Sequence, residues 1–417
     1  MPTKLNKPVL GIDQLSDETN LLTDKDRRIT SMREGTNIDL DAEGNMSRRK
    51  GYTLKLAGSG YHSLYESTRG MLLVCNSNQM GIYNPEAATF TALTGMAAPY
   101  LTSFTELNGN IYFINPGHRG MIRSIETAVR PLGVALPDVS PIFTASTGSL
   151  EAGTYGVAFS IVNELGEESP LGPLVTLTLP ANGGVAATFL TVVAGYTYRI
   201  YMTTTDGEEL YQATEFAADT TSYAIGSHQV GRRPATQFLS RLPFGYTIRA
   251  FGSRLYIATD NFVYYSEPFL PHLANLANGF LPTTGFTTML QPVDGGMFIG
   301  DQTGVYFYEG QDPADFKPKL VSDEVAVFGT AVAVPGSFLP EKYASADTAA
   351  VWLSASGYHI GLPSGEVVRL HARQVLLPRY VQGCAALSVQ DGRKQLITPV
   401  NSNVLADASV ALDSTIS

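Results

Sequence analysis

Charge is scarce in this sequence. Only 16% of its 417 residues are charged, and the balance is acidic, with a formal net charge of −10. Gripping nucleic acid through its phosphates needs clustered Lys and Arg, so this balance excludes a general nucleic-acid binder. It leaves room for a passive conduit for DNA, where sticking would be a fault. Cysteine is nearly absent. Cys75 and Cys384 both stand in apolar, strand-like stretches, which points to two buried free thiols and leaves a disulfide between them open.

Long apolar runs are missing too. MPTKLNKPVLGIDQ at the N-terminus has no stretch of signal-peptide type, and no run approaches the roughly 18 apolar residues of a membrane span. The expectation is a soluble chain, made in the cytoplasm and without membrane insertion. Catalytic signatures are lacking as well: there is no G-x-S-x-G, phosphate loop, H-E-x-x-H or C-x-x-C. Six histidines (His62, His118, His228, His272, His359 and His371) are scattered, and His359 and His371 are separated by a predicted turn, so no metal pair is expected. Neither a cofactor nor a metal is called for.

What the sequence does have is Gly, Pro, Tyr and Phe, at 40, 24, 21 and 19 residues. That mixture suits many short strands and many turns. Several segments share one plan: a small or Gly-marked start, an apolar strand, a polar turn and a second strand rich in Tyr. GMLLVCNSNQMGIYNPE begins at Gly70, GNIYFINPGHRGMIRS at Gly109, GSRLYIATDNFVYYSEP at Gly252, and GGMFIGDQTGVYFYEG at Gly295. AAVWLSASGYHIGLPSGEVVRL follows from Ala349, and CAALSVQDGRKQLITPV from Cys384 is a weaker copy. Met71 and Asn110 lie 39 residues apart, Leu255 and Met297 lie 42 apart, and Met297 and Val351 lie 54 apart. Repeats of about 40 to 50 residues built from short strands are propeller blades, here about five or six.

The 145 residues between Asn110 and Leu255 break the period, and a segment of other character fills the gap. GTYGVAFSIV, the turn at Asn163 to Gly166, VTLTL, and YTYRIYMTTTDGEELYQATEF, a hairpin with Asp206-Gly207 at its turn, read as an inserted immunoglobulin- or fibronectin-like β-sandwich. The expected map is an extended N-terminal arm at 1–35 and the first part of a propeller with a leading hairpin at 36–140. The sandwich follows at 141–240, the rest of the propeller at 241–400, and a tail at 401–417. Helix signals are few: PEKYASADTA is the clearest, and FLPHLANLANGF is expected to give one or two turns at most.

The leading hairpin is NIDLDAEGNMSRRKGY, Asn37 to Tyr52. Asp39, Asp41, Glu43 and Gly44 have the spacing that opens an EF-hand loop. The twelfth position, which must be a bidentate carboxylate, is Lys50, so the loop cannot close on calcium. Ile38, Leu40 and Met46 instead alternate with polar residues and are expected to bury one face of two short strands. Arg48, Arg49 and Lys50 are placed to pair with Asp39, Asp41 and Glu43, at roughly 0.2–1 kcal/mol per facing pair.

Asn37, Ile38, Asp39, Leu40, Asp41, Gly44, Met46, Arg48, Arg49, Gly51 and Tyr52 match a motif of the form N-[IV]-D-[LIV]-D-x-x-G-x-[LM]-x-R-R-x-G-[YF]. With propeller-like repeats and an embedded ELGEESPLGP…YRIYMTTTDGEELYQATE module behind it, the chain resembles virion proteins of tailed bacteriophages, of the nozzle or tail tubular type in short-tailed phages. The resemblance is tight over about sixteen residues and architectural over the rest. It implies a virion tail protein that forms a ring around the DNA channel, commonly a hexamer. Its neighbours would be other tail or connector proteins, with passive contact to phage DNA and no catalytic activity. Asn37, Asp39, Asp41, Gly44, Arg48, Arg49, Gly51 and Tyr52 would then be structural.

Two other readings stay open. A carbohydrate- or receptor-binding module of a fibre or baseplate should expose aromatics in a groove. A propeller glycoside hydrolase should hold inward carboxylates on the axis, and Glu167-Glu168, Glu208-Glu209 and Asp323-Glu324 are the acid pairs on offer. The first two fall in predicted turns, where carboxylates are normally solvated. Val263-Tyr264-Tyr265 and Val305-Tyr306-Phe307-Tyr308 suit the buried sides of strands better than sugar platforms.

Overall fold

A computed structural model describes residues 12–17, 31–40, 45–49, 51, 53–191, 193–228, 230–345, 347–370, 380–390 and 393–402. The protein is all-β and of propeller type. Five four-stranded antiparallel sheets follow one another along the chain, each with its strands in sequence order. Their first, innermost strands are Tyr61–Glu66, Ser103–Leu107, Thr247–Phe251, Met289–Val293 and Val332–Pro335. Tight turns close the hairpins. Asn108 and Gly109 both have positive φ, as do Gly252 and Ser253, the backbone of turns whose twist matches the flanking strands.

The apolar runs of the middle strands now have a reason. Successive side chains of a strand point to opposite faces, and here both faces are buried. Ile111 and Phe113 enter the core between the first and second sheets, while Tyr112 and Ile114 enter the core between the second and third. Leu255 and Ile257 face the second sheet, and Tyr256 and Ala258 face the fourth. Met297 and Ile299 face the third sheet, and Phe298 faces the fifth beside Trp352. Each large aromatic so buried contributes roughly 1.5–3 kcal/mol. Gly361 permits the Phe298–Trp352 contact, since a Cβ there would lie 2.6 Å from the Phe298 ring.

The fifth sheet is backed by short strand pairs, Tyr380–Gly383 with Val400–Ser402 and Ala386–Gln390 with Arg393–Ile397, which share its core through Val400, Leu387 and Leu396. Residues 141–227 form two further antiparallel sheets, one of three strands and one of four. These enclose a core of their own, built on Phe159, Tyr198, Ile200 and Met202. Among the described residues, only Val134 and Leu136, just before the segment, join it from outside.

Several expectations need correction. PEKYASADTA yields a single 3-10 turn, Glu341–Tyr343, because Pro340 precedes it and Ala344 is already extended. FLPHLANLANGF is no helix either: Leu273–Ala274 pairs with Ser240–Arg241, and Asn275 turns the chain behind it. The hairpin with Asp206-Gly207 at its turn, by contrast, is present: Thr203 pairs with Leu210, Gly207 N donates to Thr204 O at 2.9 Å, and the Asp206 carboxylate accepts from the Thr154 amide at 2.8 Å. Cys75 is buried as expected, but Cys384 is exposed, lying between strands beside the axial space. The arm at 1–35 is described only at 12–17 and 31–35, where Asp13 N donates to Met32 O, and most of the tail at 401–417 lies outside the described residues.

Candidate functional site

The innermost strands of all five sheets, with Gln382 to Ala385 and Pro399 to Asn401, line one axial cavity of about 880 Å³. Side chains of one sheet tie down the edge of the next. Ser103 Oγ accepts from Ile248 N at 3.1 Å, Thr105 Oγ1 accepts from Ala250 N at 3.0 Å, and Ser63 Oγ accepts from Thr102 N at 2.9 Å. Small hydroxyl side chains thus replace the ladder partners that an inner edge lacks.

A second space of about 970 Å³ adjoins the first at Leu101, Tyr246, Phe328 and Gln382 and forms its mouth. The neck is aromatic. The Tyr246 and Phe286 rings meet edge-on at 5.0 Å, and Phe286 and Phe328 at 5.4 Å. Tyr100, Leu101, Val325 and Val381 are exposed around the rim. Of the three acid pairs, only Asp323-Glu324 reaches this mouth, and Arg369 holds both members. Its Nη2 lies 2.6 Å from Asp323 Oδ1 and its Nη1 3.2 Å from Glu324 Oε1, while Glu324 Oε2 accepts from Ser356 N at 3.0 Å. Val263, Val305, Phe307 and Tyr308 are buried, and Tyr264, Tyr265 and Tyr306 are half-buried in the sheets.

Glu167-Glu168 overturns its expectation. Glu168 is buried and is the hub of a polar cluster where the 141–227 segment meets the third sheet's approach. Its Oε1 accepts from Ser160 Oγ at 2.6 Å and Tyr201 OH at 2.5 Å, and its Oε2 from Arg199 Nη1 at 2.6 Å. The Tyr201 hydroxyl is pushed far above its usual range, first by burial and then by the Glu168 carboxylate. Glu168 O lies 3.1 Å from His272 Nε2. A carbonyl only accepts, so the proton is on Nε2, and the buried Nδ1 is left without a partner.

The motif hairpin forms as two strands, Ile38–Leu40 and Met46–Arg48, with Ile38 opposite Arg48 and Leu40 opposite Met46. Asn37 takes the left-handed conformation, and its carbonyl accepts from Arg49 N at 3.0 Å. Arg49 Nε pairs with Asp39 Oδ1 at 3.0 Å. Arg48 and Gly51 are exposed, and Asp41, Gly44, Lys50 and Tyr52 lie outside the described residues. The expected buried face is absent: Ile38 and Leu40 are half-covered and Met46 is 49% exposed. No group of three or more metal-ligating side chains occurs among the described residues, nor a helix long and apolar enough to cross a membrane.

Four histidines carry a pH consequence. Burial holds His272, His359, His118 and His228 below the usual imidazole range. An unfolded chain protonates them near pH 6.5, whereas the folded one does so only at lower pH. Between those points the unfolded state holds more protons, so stability rises with pH and is lost on acidification below about pH 6.5. Melting temperature should therefore fall steadily from pH 7 to pH 5.5, and His272→Gln should flatten part of that slope. A melting temperature unchanged across this range would contradict it.

No family model and no curated protein matches the chain. Among solved structures, BBS1N in complex with ARL6DN aligns at 9% identity and a TM-score of 0.31, over 84% of this chain and 92% of that one. The Pan2 WD40 domain of Neurospora crassa aligns at 8% identity and 0.32, over 81% and 85%. The N-terminal domain of Nup159 aligns at 10% identity and 0.29, over 81% and 72%. At TM-scores near 0.3 these are distant likenesses, and nothing about function follows from them.

Proposed function

We propose that the chain is a structural protein of a bacteriophage tail, assembling with copies of itself into a ring around the DNA path and offering a platform to neighbouring tail or connector proteins. The observation that carries this reading is the motif hairpin. The residues that resemble the phage family form a hairpin whose apolar side chains are only partly covered in the single chain, with Met46 49% exposed, and Leu54 just after the motif is 79% exposed. An apolar edge of this kind gains by burial against a neighbour. In a ring the contact is heterologous, one patch meeting a different patch on the next copy. The net charge of −10 suits a lumen that repels phosphate and lets DNA slide.

Electron microscopy of the assembled particle tests it, with a ring on the tail axis as the expected result. Met46→Asp with Leu54→Asp should reduce incorporation roughly tenfold or more, since two apolar contacts worth about 1 kcal/mol each are replaced by buried charge. Single copies at fibre tips would instead favour the receptor-binding reading. One observation supports that second reading, the aromatic mouth of Tyr100, Tyr246, Phe286 and Phe328. Glycan-array binding lost in Tyr100→Ala would establish it. A hydrolase is less well supported, because Arg369 engages both mouth carboxylates.

A further inference from the structure

Arg249 stands in the axial cavity with no anion to meet. It lies on the innermost strand Thr247–Phe251, and among the described residues lining that cavity it is the only one with a formal charge. Its Nη1 is anchored, donating to Ile248 O at 2.8 Å and to Ser103 Oγ at 3.1 Å. Its Nε and Nη2 make no hydrogen bond among the described residues. Glu106, on the neighbouring innermost strand, does not line the cavity. Its carboxylate is taken by Thr68 N at 2.7 Å, by the Thr68 hydroxyl and by Tyr65 OH at 3.3 Å. No ion pair to Arg249 forms among the described residues.

A guanidinium withdrawn from water without a counter-charge is costly. Burial accordingly holds the Arg249 side chain below its usual range. That cost falls when an oxyanion enters, because two parallel N–H groups of the fork fit the two oxygens of a carboxylate or phosphate. The space, about 880 Å³, is of the size that takes a small solute. The acidic surface does not cancel the attraction, since exposed charges beyond about 10 Å are largely screened.

We propose that the axial cavity is a binding site for a small free oxyanion, phosphate or carboxylate, seated on Arg249. The site goes beyond the tail-ring reading and does not depend on it, because it is complete within one chain. Isothermal titration of the full-length protein with inorganic phosphate, and separately with citrate, tests it at an ionic strength balanced with sodium chloride. Saturable binding is expected for the wild type, weakened roughly tenfold or more in Arg249→Gln, with Arg249→Lys between them. If phosphate binds and citrate does not, the ligand class narrows to phosphates; the reverse narrows it to carboxylates. Absence of saturable binding of either anion up to about 20 mM, a concentration at which even very weak sites fill, would overturn the proposal. So would equal binding by Arg249→Gln. Should Arg249→Gln fail to fold by circular dichroism, Ser103→Ala decides. It removes one of the two anchors of Nη1, leaving Ile248 O, so the fork is less firmly oriented and affinity should drop several-fold; unchanged affinity would count against the site.

Discussion

Glu168→Ala should lower the free energy of unfolding by about 3–5 kcal/mol, the cost of removing one partner from a buried ion pair. The size follows from what is left behind. Arg199 keeps its charge with only 12% of its side chain exposed. Glu215 remains as a partner at 3.2 Å, but it is half exposed and its attraction is screened. The hydroxyls of Ser160 and Tyr201, both buried, lose the acceptor they share. Each unsatisfied buried group costs about 1–3 kcal/mol on its own. Glu168→Gln keeps the shape and one acceptor oxygen, so its loss should be smaller, about 1–3 kcal/mol. Urea unfolding measures both. A loss below about 1 kcal/mol for Glu168→Ala would mean that the cluster is solvated in solution and that Arg199 needs no partner there.

The strands were legible for a physical reason. NIYFIN and RLYIA are nearly unbroken apolar runs because each middle strand is buried on both faces, and the turns between them need Gly or Asn at positive φ. Such runs and turns recur at a period, so counting them along the chain finds the sheets. What the period cannot show is which edges converge. TIRAF reads as an ordinary strand with an arginine on its polar side. Its place in a cavity depends on four other innermost strands, the nearest in sequence about 40 residues away, which no local pattern encodes.

Glu168 was missed for a related reason. ELGEESP has turn composition, and the turn is there, with Gly166 N donating to Asn163 O at 3.0 Å. The carboxylate, however, folds back onto its own sheet. A signal did exist. Ser160 interrupts GVAFSIV at a buried position on the face away from the segment's main core, beside Ala158, and Arg199 stands directly opposite it across the strand pair. A serine and an arginine facing each other between buried residues call for an acid to join them. The motif hairpin erred in the other direction. Alternation at Ile38, Leu40 and Met46 promised a buried face, yet alternation reports only that one side is apolar and not that the same chain covers it.

Removing residues 141–227 and bridging the ends with a short Gly/Ser linker should leave the five sheets folded. Among the described residues, the cores between those sheets contain none of this segment, and the segment's own core draws only on Val134 and Leu136 from outside. The losses can be named: Arg233 loses Glu209, an exposed partner at 2.5 Å, and Arg232 loses Gln212, whose Oε1 accepts from its Nε at 2.7 Å and whose N donates to its carbonyl at 2.8 Å. Arg130 loses Glu164, an exposed partner at 2.5 Å, but keeps Glu126 at 2.9 Å. His272 Nε2 loses its carbonyl but gains access to water, so the cost is nearer the small net value of a hydrogen bond, about 1 kcal/mol, than that of an orphaned group. Val134 and Leu136 become exposed and should be replaced by Thr and Ser to keep the shortened chain soluble. It should retain β-sheet circular dichroism and unfold cooperatively in urea, with a denaturant slope lower by roughly a fifth, since the slope follows the surface exposed on unfolding. A shortened chain that is insoluble, or that loses its cooperative transition, would show that the propeller and the 141–227 sheets fold only as one body, with the Glu168–His272 contact part of a shared core.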